Sequence, residues 1–131
     1  MRLLLDTHIA LWEITDDSRL RAGVRRRLRD EANVIFVSVI SLWEIAIKYA
    51  RPRGRPDDMP ISSQDALKYF VDAGYQILDV SAPHALAVEA LPILHRDPFD
   101  RMLVAQARAE PMRLLTADAA VAAYGEGVEL V

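Results

Sequence analysis

The sequence contains no cysteine, which excludes disulfides, thiolate zinc sites and cysteine nucleophiles together. It also lacks any long apolar run. The longest stretch free of charged residues, Ala32 to Trp43, is a dozen residues, short of the roughly 20 that a membrane-spanning helix needs. Leu3-Leu4-Leu5, behind Met1 and Arg2, is too short for the core of a secretory signal. Charge of one sign is scarce as well: 16 Lys and Arg against 19 Asp and Glu give −3. That balance neither argues for a polyanionic partner nor forbids one. These absences lead us to expect a soluble, cytoplasmic protein with no membrane association, and they leave the substrate open.

What is present is apolar matter: 52% of 131 residues is hydrophobic, ample for one core and one domain over residues 1–131. Its periodicity alternates between strand and helix. Arg2 to Leu5 reads as a short strand ending at Asp6. Thr7 to Ile14 and Arg19 to Glu31 read as helices, the second with Leu20, Val24 and Leu28 at four-residue spacing. Val34 to Val37 is β-branched and aromatic, hence a buried strand, and Ser38 to Tyr49 is helical. Arg51 to Ile61 holds Pro52, Gly54, Pro56 and Pro60 and reads as a loop. Ser63 to Ala73 is a helix stopped by Gly74, followed by a strand from Tyr75 to Val80. Helices over Pro83 to Leu91 and Pro98 to Ala109, a strand from Met112 to Leu115, a short helix from Ala119 to Tyr124 and a strand from Val128 to Val131 complete the chain. No repeat or low-complexity tract interrupts it.

Strands alternating with helices predict an α/β fold, a central parallel sheet with helices on both faces. Ligands of such sheets bind beyond the carboxyl ends of the strands, which directs attention to the first polar residues after each strand. After the first strand that is Asp6; after Met112 to Leu115 it is Thr116, then Asp118. Glu44 is the sole charge between Ala32 and Ile47, where an unpaired carboxylate is costly. Asp100, in Asp97-Pro98-Phe99-Asp100, sits in a first helical turn, where the helix dipole favours the ionised form that a hard cation requires.

Each acid also has an ordinary reading. Asp6, Asp97 and Asp118 are all plausible helix N-caps. Pro98 suits a first helical position, which would leave Asp100 a dipole-favouring acid. Ser41 and Glu44 have capping-box spacing, with Ile40 and Ile45 placed as a hydrophobic staple. What favours a shared site is that all four acids fall on the crevice side of the expected topology.

Four segments together resemble a known family. Leu3-Leu4-Leu5-Asp6-Thr7-His8 resembles the opening of PIN-domain proteins. Val37-Ser38, followed after two residues by Ser41-Leu42-Trp43-Glu44-Ile45, is similar to their second acidic motif. Asp97-Pro98-Phe99-Asp100-Arg101-Met102-Leu103-Val104-Ala105-Gln106-Ala107 is similar to the third, and Leu114-Leu115-Thr116-Ala117-Asp118 to the fourth. In the fourth, Ala117 stands where a charged or polar residue is also common. The resemblance runs end to end at the length of VapC-type toxins. It implies a compact α/β ribonuclease that uses Mg²⁺ or Mn²⁺ to cut RNA, forms a homodimer and is held inactive by a small antitoxin. Asp6, Glu44, Asp100 and Asp118 would be both the catalytic and the metal-holding residues.

The chemistry is consistent with that set. Phosphodiester hydrolysis needs water made nucleophilic near neutral pH and charge offset at phosphorus, and a divalent cation supplies both. Magnesium takes oxygen ligands and keeps several waters, so a few carboxylates suffice. Asp6 and Asp100 are expected nearest the metal, with Glu44 and Asp118 touching it directly or through water. Thr7 and Thr116 carry hydroxyls beside these acids that can orient a carboxylate or serve as a turn or cap.

Other conspicuous residues take lesser expectations. His8 reads as helix surface rather than a substrate contact, and His84 and His95 as structural or exposed. Arg25, Arg26, Arg27 and Arg29 read as a solvated helix face. Arg51, Arg53 and Arg55 belong to a loop that can hold RNA phosphates or, as preferred here, an antitoxin or dimer contact. Trp12 and Trp43 are expected in the core rather than as base-stacking platforms. A haloacid-dehalogenase-like phosphatase with Asp6 as nucleophile would need a second Asp where this chain has His8. A PIN fold serving only as a non-catalytic binding module in a nucleic-acid-binding complex would be expected to have lost one of the four acids.

Overall fold

The computed structural model describes residues Met1–Val131. Five parallel strands make one sheet: β1 (Arg2–Leu5), β2 (Val34–Ser38), β3 (Gln76–Leu78), β4 (Arg113–Thr116) and β5 (Val128–Leu130). Their spatial order is β3-β2-β1-β4-β5. The chain thus builds outward from β1 to one edge, returns, and builds to the other. Strand order reverses beside β1, and the β1–β4 junction is where such a sheet opens a crevice at its carboxyl end.

Seven helices cover the sheet: α1 (Thr7–Ile14), α2 (Ala22–Arg29), α3 (Val39–Tyr49), α4 (Ser63–Asp72), α5 (Ala82–Glu89), α6 (Pro98–Ala109) and α7 (Ala119–Ala122). The period-2 alternation of β1 divides the core. Leu3 and Leu5 join Ile9, Leu28, Ile45, Phe70 and Leu115 on the face covered by α1, α2 and α4. Leu4 joins Leu103, Val104, Leu114 and Val121 on the face covered by α5, α6 and α7. Helix α3 sends Ile45 to the first cluster and Ile40 to the second. Each wholly buried leucine in this arrangement contributes about 1.5–3 kcal/mol. No helix is long and apolar enough to cross a membrane.

The expected α/β architecture with a parallel sheet is the one found, and most element boundaries agree to within a residue or two. Gly74 ends α4 at φ +83, where a side chain is strained. Its N–H donates to Val71 while that of Tyr75 donates to Phe70, the paired bonds of a Schellman stop.

Two expectations are corrected, and one ordinary reading of Glu44 is set aside. The helix predicted over Arg19 to Glu31 begins only at Ala22, because Arg19 turns back to Asp17 through backbone and guanidinium bonds. The Ser41–Glu44 capping box does not form. The strand hands over to α3 at Ser38, whose hydroxyl accepts from the Ile40 N–H. Ser41 and Glu44 therefore lie inside the helix, and Glu44 is free for other partners. Trp43 is not a core residue: it is 58% exposed, on the outer side of α3, and meets Phe99 edge-on at 5.4 Å.

Candidate active site

Asp6 is the residue at which β1 becomes α1. Its backbone N–H donates to the Leu115 carbonyl of β4, and its Oδ1 caps α1 by accepting from the Ile9 N–H at 2.8 Å. The capping reading is thus correct for Asp6 as far as one oxygen goes. The other oxygen, Oδ2, accepts from the Thr116 hydroxyl. That hydroxyl in turn accepts from the Asp118 N–H at 3.1 Å. Thr116 therefore ties the ends of β1 and β4 together and sets the two acids side by side. Asp6 is 4% exposed. Burial raises its pKa, against opposing hydrogen bonds from Ile9 and Thr116 and the charge of His8, while Glu44 pushes in the same direction as burial.

Asp118 is exposed and caps α7 through the Ala120 N–H. It lines the same open hollow as Asp6, about 350 Å³ in volume, with His8, Trp12 and Arg19. Larger hollows of about 650 and 710 Å³ lie elsewhere, lined by residues such as Arg2 and Arg113 or Glu13 and Gln76. They hold none of the four acids, so chemistry rather than size singles out the site.

Glu44 is 3% exposed and reaches the crevice from the second turn of α3. Its Oε1 accepts from the Thr7 hydroxyl at 2.6 Å, and that hydroxyl lies 2.9 Å from the Ser41 hydroxyl. Its Oε2 accepts from the Lys48 ammonium at 2.5 Å, one helical turn on. The carboxylate that looked costly in an apolar run is thus paired and bonded. Both threonines beside the acids hold a carboxylate.

Asp97 caps α6, accepting from the Phe99 and Asp100 N–H groups. Pro98 takes the first helical position and Asp100 projects from the first turn. Its Oδ2 lies 2.8 Å from His95 Nε2. Burial pushes the Asp100 carboxyl up to about 6, against the His95 hydrogen bond and with further upward contributions from Asp97, Glu44 and Asp6. Three of the predicted acids are thus within electrostatic reach of one another.

The tightest set of ligand atoms is nevertheless a different one. His95, Asp97 and Asp100 place one ligand atom each within 4.8 Å of one another. The expectation that His95 is structural or simply exposed is corrected on this point: it is half-buried and turned onto Asp100. The one signal in the sequence was its position five residues before Asp100, in the segment leading into α6. His84 does fill a structural place, buried and accepting from the Ser81 N–H.

Among the arginines, Arg25 and Arg29 pair with Glu13 and Arg27 with Glu129. Arg25 and Arg27 are largely covered, while the Arg29 side chain stays 65% exposed, as a solvated face requires. Arg53 packs over the Tyr49 ring and donates to the Met59 carbonyl, which fastens the proline-rich loop.

The donor set fits a hard divalent cation. It is made of carboxylate oxygens with one imidazole, as suits Mg²⁺ or Mn²⁺ and not a thiolate-binding metal. Burial raises the pKa of both Asp6 and Asp100, with added repulsion from Glu44 on each, a bias that a bound cation would oppose.

The PIN domain family matches residues 3–127 of the chain. No curated protein matches it in sequence. Among solved structures it is similar over 100% of its length to 98% of a chain in VapBC2 from Rickettsia felis bound to a DNA fragment from their promoter, with 20% identity and a TM-score of 0.71. DNA-bound VapBC from Salmonella typhimurium is similar over 100% of this chain and 97% of the other, at 16% identity and TM-score 0.70. A toxin–antitoxin complex from Klebsiella pneumoniae is similar over 97% and 95%, at 18% identity and TM-score 0.63. At these identities the likeness is one of fold.

Proposed function

The chain belongs to the PIN domain family, and from that premise we propose that it is a metal-dependent ribonuclease, the toxin of a toxin–antitoxin pair. Asp6, Glu44, Asp100 and Asp118 serve as its catalytic carboxylates. The observation that carries this reading is the approach of Asp6, Glu44 and Asp100 to one another, close enough that the charges of Glu44 and Asp6 add to the rise that burial gives the Asp100 carboxyl. Caps alone give no reason for acids from three separate helices to repel one another. Two of the neighbouring solved structures are VapBC assemblies and one is a toxin–antitoxin complex, which supports a small antitoxin as partner.

In this reading Asp6 and Asp100 hold Mg²⁺ or Mn²⁺ most directly, with Asp118 at the open side and His95 orienting or joining Asp100. The bound cation supplies a nucleophile from water and offsets charge at the phosphorus of RNA. The chain's own residues do the positioning. Thr116 fixes Oδ2 of Asp6 and the backbone of Asp118 with one hydroxyl. Thr7 fixes Oε1 of Glu44, and the Lys48 ammonium holds its Oε2. Second-layer contacts of this kind commonly set metal affinity or activity by 10–100-fold. An antitoxin could silence such a site by presenting Arg or Lys to the same carboxylates, as Lys48 already does to Glu44.

Expression without an antitoxin tests the proposal. The wild type arrests growth and degrades cellular RNA, and Asp6→Asn does neither while folding normally. Equal arrest by both proteins would refute the assignment of the carboxylates.

A further inference from the structure

Beyond the acids, the crevice continues along α1. His8 and Trp12, one helical turn apart, face the same side of that helix, with ring centroids 6.1 Å apart and planes tilted by 47°. His8 is exposed and Trp12 half-buried, its inner part packed against the first core cluster. The Arg19 guanidinium stands 4.9 Å from the centre of the Trp12 ring. It is pinned there by Asp17, with Nε to Oδ1 at 3.0 Å and Nη2 to Oδ2 at 2.7 Å. These three residues line the hollow that contains Asp6 and Asp118. They also line a second hollow of about 440 Å³, whose far wall is the Pro56–Pro60 part of the proline-rich loop. The two hollows therefore adjoin at His8, Trp12 and Arg19, which line both.

Resting on the ribonuclease reading, we propose that His8, Trp12 and Arg19 form a nucleobase subsite for single-stranded RNA, taking a base next to the cleaved phosphate. Single-stranded RNA is held largely by stacking of bases on aromatic rings and guanidinium planes. This junction offers two rings and a guanidinium beside the acids. The second hollow also carries Asp17, Asp57 and Asp58. Asp17 pairs with Arg19, Asp58 accepts from backbone N–H groups of Gly54 and Arg55 with the Arg53 and Arg55 charges nearby, and Asp57 forms no salt bridge. A phosphate there would meet the Asp57 and Asp58 carboxylates, whereas a base carries no charge for them to repel. The pairing of Arg19 with Asp17 fixes the guanidinium before any ligand arrives, which lowers the ordering cost of stacking.

A purely structural role, sealing the outer edge of Trp12, predicts a change in stability alone. The subsite predicts changes in RNA binding that depend on one nucleotide. His8→Ala and Arg19→Ala remove exposed groups and are confirmed folded by thermal melting. With a short RNA, each raises KM about five- to a hundredfold, with a smaller effect on kcat. Stepping a single abasic nucleotide along the RNA gives a similar rise at one position beside the cleavage site in the parent protein. In either variant that position-specific penalty shrinks or disappears. Binding is read without cleavage in the Asp100→Asn, Trp43→Phe protein with Mg²⁺, where Trp12 is the sole tryptophan. Its fluorescence is quenched by the intact RNA and not by the RNA abasic at that position.

Unquenched Trp12 fluorescence in protein that binds RNA, with unchanged KM in both variants, would overturn the subsite. Failure of RNA to bind at all would overturn it too. If RNA binds and quenches Trp12 yet the parent protein cuts nothing, the ribonuclease reading falls and the base subsite stands.

Discussion

Replacing Asp100 with Asn removes a charge that the fold holds at a cost, and the size of that cost can be worked from the site. The carboxyl is pushed from 3.8 up to about 6, mainly by burial, with Asp97, Glu44 and Asp6 adding repulsion. A folded-state pKa above the unfolded one means that the group favours folding while protonated. That contribution is full below pH 3.8 and lost as pH rises through about 6. Two units correspond to about 3 kcal/mol. Asp100 keeps contact with solvent at the mouth of the crevice, with 19% of its side chain exposed, and screening reduces the expected effect to about 1–2 kcal/mol. Asn keeps the shape and a hydrogen-bonding atom for His95. Metal-free Asp100→Asn should therefore be about 1–2 kcal/mol more stable than wild type at pH 8, a rise of several degrees in Tm. The difference should shrink to about a third of that by pH 4.5 and vanish only below pH 3.8. Urea unfolding followed by circular dichroism in chelator, at a series of pH values, measures it. Millimolar Mn²⁺ should reverse the order at pH 8, because only the wild type gains from binding. A variant less stable than wild type at pH 8 in chelator would refute the electrostatic account of this site.

Three other perturbations test the supports around the acids. Lys48→Met leaves the Glu44 carboxylate buried with Thr7 as its one remaining side-chain partner. It should destabilise the metal-free protein by about 2–3 kcal/mol, partly restored by Mn²⁺ in the same urea assay. Thr116→Val cuts the link between Asp6 and Asp118. It should cost about 1–3 kcal/mol in stability and roughly 10–100-fold in kcat/KM for RNA cleavage. Gly74→Ala meets open space but a φ of +83, so it should lower stability by about 1 kcal/mol through backbone strain alone, with cleavage unchanged.

The parallel sheet was legible because its strands carry their own punctuation. The buried triplet Leu3-Leu4-Leu5 runs into a helix-capping Asp, and Arg113-Leu114-Leu115-Thr116 ends at a polar residue that faces it. The rule about strand ends then put Asp6 and Asp118 on one rim, and the structure joins them through Thr116. Glu44 was harder to read. Val39 to Ile47 is apolar on nearly every side, so periodicity placed α3 but did not fix which of its faces looks outward. The buried place expected of Trp43 failed for that reason, while the capping-box alternative at Ser41 and Glu44 gave way to Ser38 as the N-cap. His95 lies in a segment with no periodicity. Its approach to Asp100 depends on how Asp97 and Pro98 start α6, a geometry that spacing alone does not encode. Lys48 was legible in principle, four residues after Glu44 on one helix, once Glu44 is known to lie inside that helix rather than at its cap.

The central claim is that these carboxylates cut RNA with the help of a divalent cation and water. The most direct measurement is the chemistry of the cut ends, using purified protein and a short single-stranded RNA with Mg²⁺ or Mn²⁺. Hydrolysis by water leaves linear phosphate ends, proceeds when the 2′-hydroxyl at the scissile nucleotide is removed, stops in chelator and is lost in Asp6→Asn. A 2′,3′-cyclic phosphate product, or cleavage that persists in chelator and in Asp6→Asn, would contradict the account.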